Sequence, residues 1–585
     1  MSRILDLAFR LGWDAGSLPD PKVAPSPLHR ALALLACISL FIGTRTAWTG
    51  ALNASPTVLA VLSVCYLGIL LTAVASLIVR SSRALAMVDV LILAIGCALV
   101  VGAVIADHKP NDEGTLVAQA ARSMLGGGGV YGVAWPQVFA QQHIPVTWMM
   151  GGGADYTFGY PPLAVLLTAP ALAFVGFPAV ASVVTTGMLL IGALVLWRLL
   201  PTEWRSGATA VMLGFPFMPH YARLGYPAIV AMVFLIPVVV RWTSIGADGR
   251  LRRSDVVRAL CLGAACATQQ LAWFGAPFLI VGLYALRRGE VSPRRALTTV
   301  ASFAGIAAAT FLVINLPFIV TAGPAWASGV LLVLTQHAIP HGQGLIDVSF
   351  YLTDGSAELD FYSYATLLLA LGLLGLSAVW VRRLGPALTV IPWIVFYLSI
   401  RSQDGYFLLM TPLWFAAVAT APPSAFERAW QPRLRTPTWL RDLRPSGVRW
   451  LRGATGRIVL AGALLAPSLL CATVAIASDE PLELNVVATS AHAAHEVGIW
   501  QITVEVVNTG AVPLTPRFTI STGPSITPFW TAQGGPDQLA PHQRATYLLT
   551  AADPAGYSPG PNGYLYLRAV TDRPMTVSTA KISIP

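Results

Sequence analysis

Charge is what this chain has least of. Only 11% of its 585 residues are Asp, Glu, Lys or Arg, against roughly 25% in a soluble domain, so an ordinary cytosolic enzyme is excluded. Lysine is nearly missing. Lys22, Lys109 and Lys581 are the three present, and Arg supplies the rest of the positive charge behind a formal net charge of +10. Cysteine is sparse too: Cys37, Cys65, Cys97, Cys261, Cys266 and Cys471 all fall in apolar segments. None has metal-ligand spacing, so they read as small buried apolar residues. What the chain does have is apolar length. Hydrophobic residues make up 55% and the mean hydropathy is +0.66. Runs of about 20 apolar residues, each long enough to cross a bilayer, recur along most of it. The expected fold is a polytopic α-helical membrane protein.

The N-terminus does not read as a cleavable signal; residues 2–13 suggest a short amphipathic helix followed by Pro-containing coil. Thirteen candidate spans follow, approximately 31–49, 57–79, 87–106, 180–198, 207–219, 226–240, 257–269, 271–286, 297–320, 362–381, 386–400, 405–421 and 458–478. With a cytoplasmic N-terminus they alternate in direction. The cytoplasmic segments then hold 27 Lys and Arg. The opposite side, before residue 479, holds five: Arg45, Lys109, Arg122, Arg223 and Arg401. Such asymmetry is the positive-inside signal. It assigns the basic charge to topology and lipid contact and leaves nucleic acid nothing to explain. The apolar stretch 161–178 breaks the pattern, because counting it as a span reverses every later loop. With its prolines it is expected to be an interfacial or re-entrant helix. Residues 107–178 and 321–361 then form two long extracytoplasmic loops.

Residues 479–585 change character. Short alternating runs at 499–507, 545–550 and 564–570, with turns at Asn508-Thr509-Gly510 and Pro561-Asn562-Gly563, predict an extracytoplasmic β-sandwich. The segment has no cysteine, so no disulfide braces it. A structural or docking module is one reading. Trp530, Tyr564 and Tyr566, taken as surface aromatics, leave glycan binding as another.

Acids are almost missing from the spans. Asp89 is the one within them, at the cytoplasmic start of its helix, so the relay of a proton-coupled pump is not there. Acids gather instead in the two outer loops: Asp107, Asp112, Glu113 and Asp155 in the first, Asp347, Asp354, Glu358 and Asp360 in the second. Asp112 precedes a helical stretch over 114–125 and could simply cap it. Gly126–Gly129 lacks the Lys-Ser/Thr of a phosphate-binding loop and reads as a flexible turn. Outer-side cations and aromatics are few. Arg401 lies in IRSQDGYF with Tyr406 after it, and Arg223 lies with His220 and Tyr221 in PHYARLGYP. His337 and His341 have the i,i+4 spacing of metal ligands, but Pro340 breaks the helix between them and polar loop contacts are expected. Gln269 and Gln270, between two short spans, are expected to face a cavity.

Taken together, Asp112-Glu113, the stretch Ala121-Arg122-Ser123-Met124-Leu125 with Val130-Tyr131, and FGYPPLAVLL at 158–167 resemble the C superfamily of membrane glycosyltransferases (GT-C). The resemblance covers roughly residues 87–420 and is nearest to actinobacterial mannosyl- and arabinofuranosyltransferases. Two extra spans before the motif and the added C-terminal domain depart from it. It implies an inverting transfer of a sugar, mannose or arabinofuranose, from a polyprenyl-phosphate donor to a cell-envelope glycan, glycolipid or protein. Asp112 is the implied base, with Glu113 and Asp107 beside it. Arg401, Arg223 and Tyr406 are expected at the donor phosphate, and Tyr160, His220, Gln269, Gln270 and His337 in the substrate pocket. No cofactor is required; a divalent cation fits the chemistry, but no ligand spacing indicates one. The partners implied are the lipid-linked donor, a glycan or lipid acceptor and membrane lipids. Two other classes compete: a lipid-linked sugar flippase or transporter, and a non-catalytic scaffold presenting the C-terminal domain.

The charge asymmetry makes a direct prediction about sidedness. A reporter fused after Ser478 should be active only extracytoplasmically, and one inserted within 435–450 only in the cytoplasm. Reversal of either result would overturn the topology.

Overall fold

The computed structural model describes residues 23–432, 451–491, 498–521, 526–554, 556–558 and 564–583. The expected helix at 2–13 and the turn at Pro561-Asn562-Gly563 lie outside these residues. Among them, seven helices are long and apolar enough to cross a membrane: Pro27–Leu52, Pro56–Ile78, Ser82–Ala106, Val180–Leu199, Pro293–Thr335, Asp360–Val379 and Ile458–Ala477. Two bent pairs, Pro227–Val239 with Trp242–Gly249 and Val381–Ala387 with Ile391–Leu398, raise the number to nine if each is one span. The protein is thus built as a multi-pass membrane protein.

Local chemistry sets where the first helices begin. Ser26, Ser55 and Ser81 each accept a hydrogen bond from a backbone N–H of the following turn, at His29, Val58 and Ala84. Pro27 and Pro56 occupy first-turn positions where a missing N–H costs nothing. Pro56–Ile78 turns Val64, Leu67, Leu71, Val74 and Ile78 outward. In water such a face would be a liability; in lipid it is matched to its solvent.

The remaining expected spans fold differently. Segment 207–219 is divided among Arg205–Thr209, a π-helical turn Ala210–Gly214 and Phe217–Arg223. Segment 257–269 lies in the 14-residue helix Arg253–Cys266. Segment 271–286 lies in Leu271–Glu290, which contains Pro277 and closes on Arg287 and Arg288. Segment 405–421 splits into Asp404–Leu408 and Thr411–Thr420. Pro216 and Pro412, which have no backbone N–H to donate, stand where two of these helices restart. The stretch 161–178 yields the short apolar helix Leu163–Ala173, and the 3₁₀ turn within it contains Pro170.

Pro293–Thr335 runs for 43 residues but breaks at Ala322 (φ −149°, ψ 43°), between Pro317 and Pro324. Asn315 bridges the break by accepting from Trp326 Nε1 at 2.9 Å. Beyond it the helix packs on the first loop. There Leu116, Val117, Ala120 and Ala121 of the helix Asp112–Leu125 join Tyr131, Phe158, Val165 and Val330 in one apolar cluster.

Twelve short strands among the described residues, named in chain order, complete the fold. In the loops are β1 (Thr147–Trp148), β2 (Ala154–Asp155), β3 (His341–Gly342), β4 (Gly355–Ser356) and β5 (Arg401–Ser402). The C-terminal part adds β6 (Leu482–Ala491), β7 (Ile499–Asn508), β8 (Arg517–Ser521), β9 (Thr531–Gln533), β10 (Arg544–Thr550), β11 (Tyr564–Thr571) and β12 (Thr576–Ser583). β6-β7-β10-β9 form one antiparallel sheet and β4-β12-β11-β8 another. Alternate residues such as Ile502, Val504 and Val506 meet Phe518, Leu567 and Ile582 in a shared core. Trp530, expected on the surface, is 4% exposed because its backbone N–H bonds Phe518 and its ring joins that core. Tyr564 is exposed and carries Lys581 Nζ 3.3 Å from its ring centroid.

The second loop is sewn to both neighbours. Ile339 and Met150 donate backbone bonds to Trp148 and His337 respectively, joining the two loops. β4 pairs with β12, so two residues from the second loop form the edge of a C-terminal sheet.

Candidate active site

The centre of the polar chemistry is the first turn of the helix Asp112–Leu125. Asn111, not Asp112, is its N-cap and accepts from Gly114 N at 2.9 Å. Asp112 is therefore freed from the capping role that its position in the sequence suggested. Its Oδ1 accepts from Glu113 N at 2.9 Å, and its Oδ2 from Thr147 Oγ1 at 3.0 Å. The positive end of the helix favours acid here.

The turn is held against the bundle by a contact that only glycine allows. A Cβ on Gly114 would lie 2.4 Å from the Leu224 carbonyl oxygen, and Gly225 has φ +83° with no room beside the Gly114 backbone. Asn111 N also bonds Leu224 O at 3.0 Å. The turn after Phe217–Arg223 is thereby brought to the same end of the bundle as the carboxyl groups.

Burial pushes both acids upward. Asp112 is raised by desolvation, opposed by the Thr147 hydrogen bond and the charge of Arg401. Glu113 is pushed from 4.5 to about 8 by desolvation and by the neighbouring Asp112, opposed by a hydrogen bond from Tyr160 and by Arg401. Tyr160, Tyr226 and Tyr406 surround the pair, and each phenol is raised by burial and by the same two carboxyl groups. Two adjacent carboxyl groups cannot both ionise cheaply in a desolvated site, and Glu113 is the one pushed far enough up to hold a proton at neutral pH.

Arg401 is half-buried in β5, which pairs in parallel with β3 of the second loop. Its Nε is buried without a protein partner, and so is Glu113 Oε2. Two unpaired polar atoms of opposite character in one cluster mark a place shaped for something else to bind. Nearby, Tyr221 donates to Asp404, tying the 217–226 turn to the turn that carries Arg401 and Tyr406.

Of the residues read from the sequence, Asp112, Glu113, Tyr160, Arg401 and Tyr406 come together. Asp107 does not join them as a base: it ends a spanning helix, is 57% exposed, and pairs with Arg223 at 3.2 Å. That pair also occupies the charge expected of Arg223 at a phosphate. His220 is exposed beside the same pair and Asp404. Gln270 donates to the carbonyls of Gly159 (2.9 Å) and Val330 (2.7 Å), fixing the backbone next to Tyr160, while its Oε1 is buried without a protein partner. Tyr131 completes that support by donating to Tyr160 O at 2.7 Å. Gln269 is buried with its Oε1 unpartnered. His337 ties the second loop to the turn between β11 and β12, with Nδ1 2.6 Å from Asp572 Oδ1. Among the described residues no group of three or more His, Cys, Asp or Glu could hold a metal ion. Thr147, Tyr226 and Asp404 escaped the sequence reading, because a lone Thr in a loop or a Tyr at a helix start carries no pattern.

The raised Glu113 has a consequence for stability. Between pH 4.5 and about 8 the folded protein keeps a proton that the unfolded chain has released. Stability therefore falls as pH rises through that window, by at most about 1.4 kcal/mol per pH unit. Glu113→Gln should unfold at a higher temperature than the parent at pH 8, with the gap closing toward pH 4.5. Thermal unfolding in detergent across this range checks it; a gap independent of pH would refute the assignment.

No protein-family model, curated protein or solved structure matches this chain, so the geometry of the site stands where a likeness would.

Proposed function

We propose that the protein is an inverting glycosyltransferase with a GT-C-like membrane domain. It moves a sugar, mannose or arabinofuranose, from a polyprenyl-phosphate donor to a cell-envelope acceptor at the outer leaflet. One observation carries this reading: a desolvated pair of carboxyl groups on one helix turn and a half-buried guanidinium from a distant segment meet at one end of the helix bundle.

In the proposed step the acceptor hydroxyl attacks the anomeric carbon from the face opposite the lipid phosphate. Asp112 takes its proton as the new C–O bond forms. The bond from the anomeric carbon to the phosphate oxygen breaks, and the electron pair leaves with the phosphate. Arg401 stabilises that charge through N–H groups including the unpartnered Nε. Glu113, neutral and hydrogen-bonded to Tyr160, positions the acceptor rather than competing as a base.

Asp112→Asn keeps the size of the side chain and an oxygen for Thr147 but loses the basic carboxylate. Turnover of a radiolabelled polyprenyl-phosphate sugar should fall by roughly 10²–10⁴, while Asp107→Asn should stay close to the parent. An active Asp112→Asn with an inactive Asp107→Asn would reverse the assignment. Leaflet exchange of the labelled lipid without transfer would identify a flippase instead, and neither event would leave the scaffold reading.

Arg401→Ala should raise the donor KM more than it lowers thermal stability, since a charge-assisted contact is lost at a site where no protein group pairs with Nε. Arg401→Lys should recover only part, because a planar fork becomes a point charge. Unchanged donor kinetics in Arg401→Ala would remove Arg401 from the phosphate site.

A further inference from the structure

A cavity lies away from the carboxyl pair, between the second loop and the C-terminal sheets, with a mostly apolar wall and a few polar groups. It has a volume of about 320 Å³ and is lined by His341, Gln343, Asp347, Phe350, Tyr351 and Arg568, among others. That volume falls at the lower end of the roughly 300–1,000 Å³ typical of small-molecule sites.

Arg568 is its unusual member. It sits in β11 and is only 2% exposed. Its guanidinium lies over the rings of Phe350 at 4.0 Å and Tyr351 at 4.9 Å, and Nε donates to Ser521 Oγ at 3.1 Å. Nη2, however, is buried with no protein partner. Tyr351 also hydrogen-bonds the guanidinium, but that contact and the packing of two aromatic rings leave Nη2 unserved, and an unpaired buried N–H is costly. Burial lowers its pKa to about 10, which still leaves it charged at neutral pH.

The other polar groups define what could satisfy it. Asp347 is half-buried, and its charge interacts with that of Arg568. One cation and one carboxyl facing the same small space give little net attraction for a free anion or a free amine. A hydroxyl both donates and accepts, so neighbouring hydroxyls can bridge Arg568 and Asp347 at once. Gln343, exposed at the rim, adds one donor and one acceptor. Tyr351 is 40% exposed, which leaves ring surface for the apolar face of a ring-shaped polyol.

The cavity also shares a wall with the candidate active site. His341 lines it, and His341 is the β3 residue paired with Arg401 of β5. Gln343 N bonds Ser402 O at 2.7 Å, continuing the same seam. His341 feels the positive charges of both Arg401 and Arg568, so it stands between the two.

We propose that this cavity is a saccharide-binding site that holds the acceptor glycan while its growing end reaches the carboxyl pair. The acceptor role rests on the glycosyl-transfer reading above; saccharide binding does not.

The test uses the full-length protein in lipid nanodiscs, with mannose and arabinofuranose trisaccharides as probes and inorganic phosphate as competitor. At least one trisaccharide should bind, and phosphate should not displace it. Asp347→Asn and Gln343→Ala, both at or near the surface, should each weaken binding about tenfold, the scale of a lost hydrogen bond in a charged site. Arg568→Lys should weaken it further where the variant folds. The proposal is overturned if neither trisaccharide binds, if phosphate competes, or if both rim variants bind as the parent does. Binding without sugar transfer in the labelled-donor assay would sink the transferase reading and leave the site standing. Transfer with an unchanged acceptor KM in both rim variants would sink the site and leave the transferase.

Discussion

Two neighbouring carboxyl groups, Asp112 and Glu113, are buried side by side, and Arg401 is the cation that both of them feel. Two carboxylates cannot share a dry site cheaply, so one must stay protonated or a cation must balance them. This protein uses both remedies. The phenols of Tyr160, Tyr226 and Tyr406 surround the pair with groups that carry a donor and no charge at neutral pH. Residues further out keep this arrangement in place. Tyr131 and Gln270 hold the chain around Tyr160, Asn111 takes over the helix cap, and Tyr221 ties the two turns together. The same electrostatic imbalance that would destabilise a core leaves buried polar atoms, Arg401 Nε and Glu113 Oε2 among them, without a protein partner.

The broken helices serve this arrangement. A regular span brings its side chains past a membrane but offers no loose backbone at its end. Where helices shorten, at 223–226, 267–270 and 400–404, turns are left that can close on the first loop. Leu163 N bonds Ala267 O at 2.9 Å, and Asn111 N bonds Leu224 O at 3.0 Å. Irregular backbone is tolerable in an apolar setting only where protein covers it, and here the two loops do so.

This explains which parts of the molecule were legible in the sequence. Long apolar runs gave the seven membrane-length helices, since burial in lipid demands length and little else. Strand alternation gave β7, β10 and β11 closely. Asp112, Glu113, Tyr160, Arg401 and Tyr406 were found because each stands near a loop or a helix end in a short motif. Helix breaks were missed because a proline in an apolar run gives no sign of whether the helix bends or continues. The contacts of Asp107, Arg223 and Gln270 were not legible for a different reason: their partners lie far away in the chain. Trp530 failed similarly, since its burial depends on Phe518 and Tyr557 rather than on its neighbours.

The pairing of β4 with β12 also orders events in time. The second loop contributes β3, which pairs with Arg401 and Ser402, and β4, which is completed only by Val577 and Ser578. Leu359 N bonds Met575 O, and Thr579 N bonds Asp354 O, so the same late segment fastens the loop at several points. A ribosome reaches those residues well after the rest of the site. Until they are made, the loop that braces Arg401 lacks its outer support, even though every residue of the carboxyl pair and its phenols has long been synthesised. The site is therefore braced by a segment made well after the residues that form it.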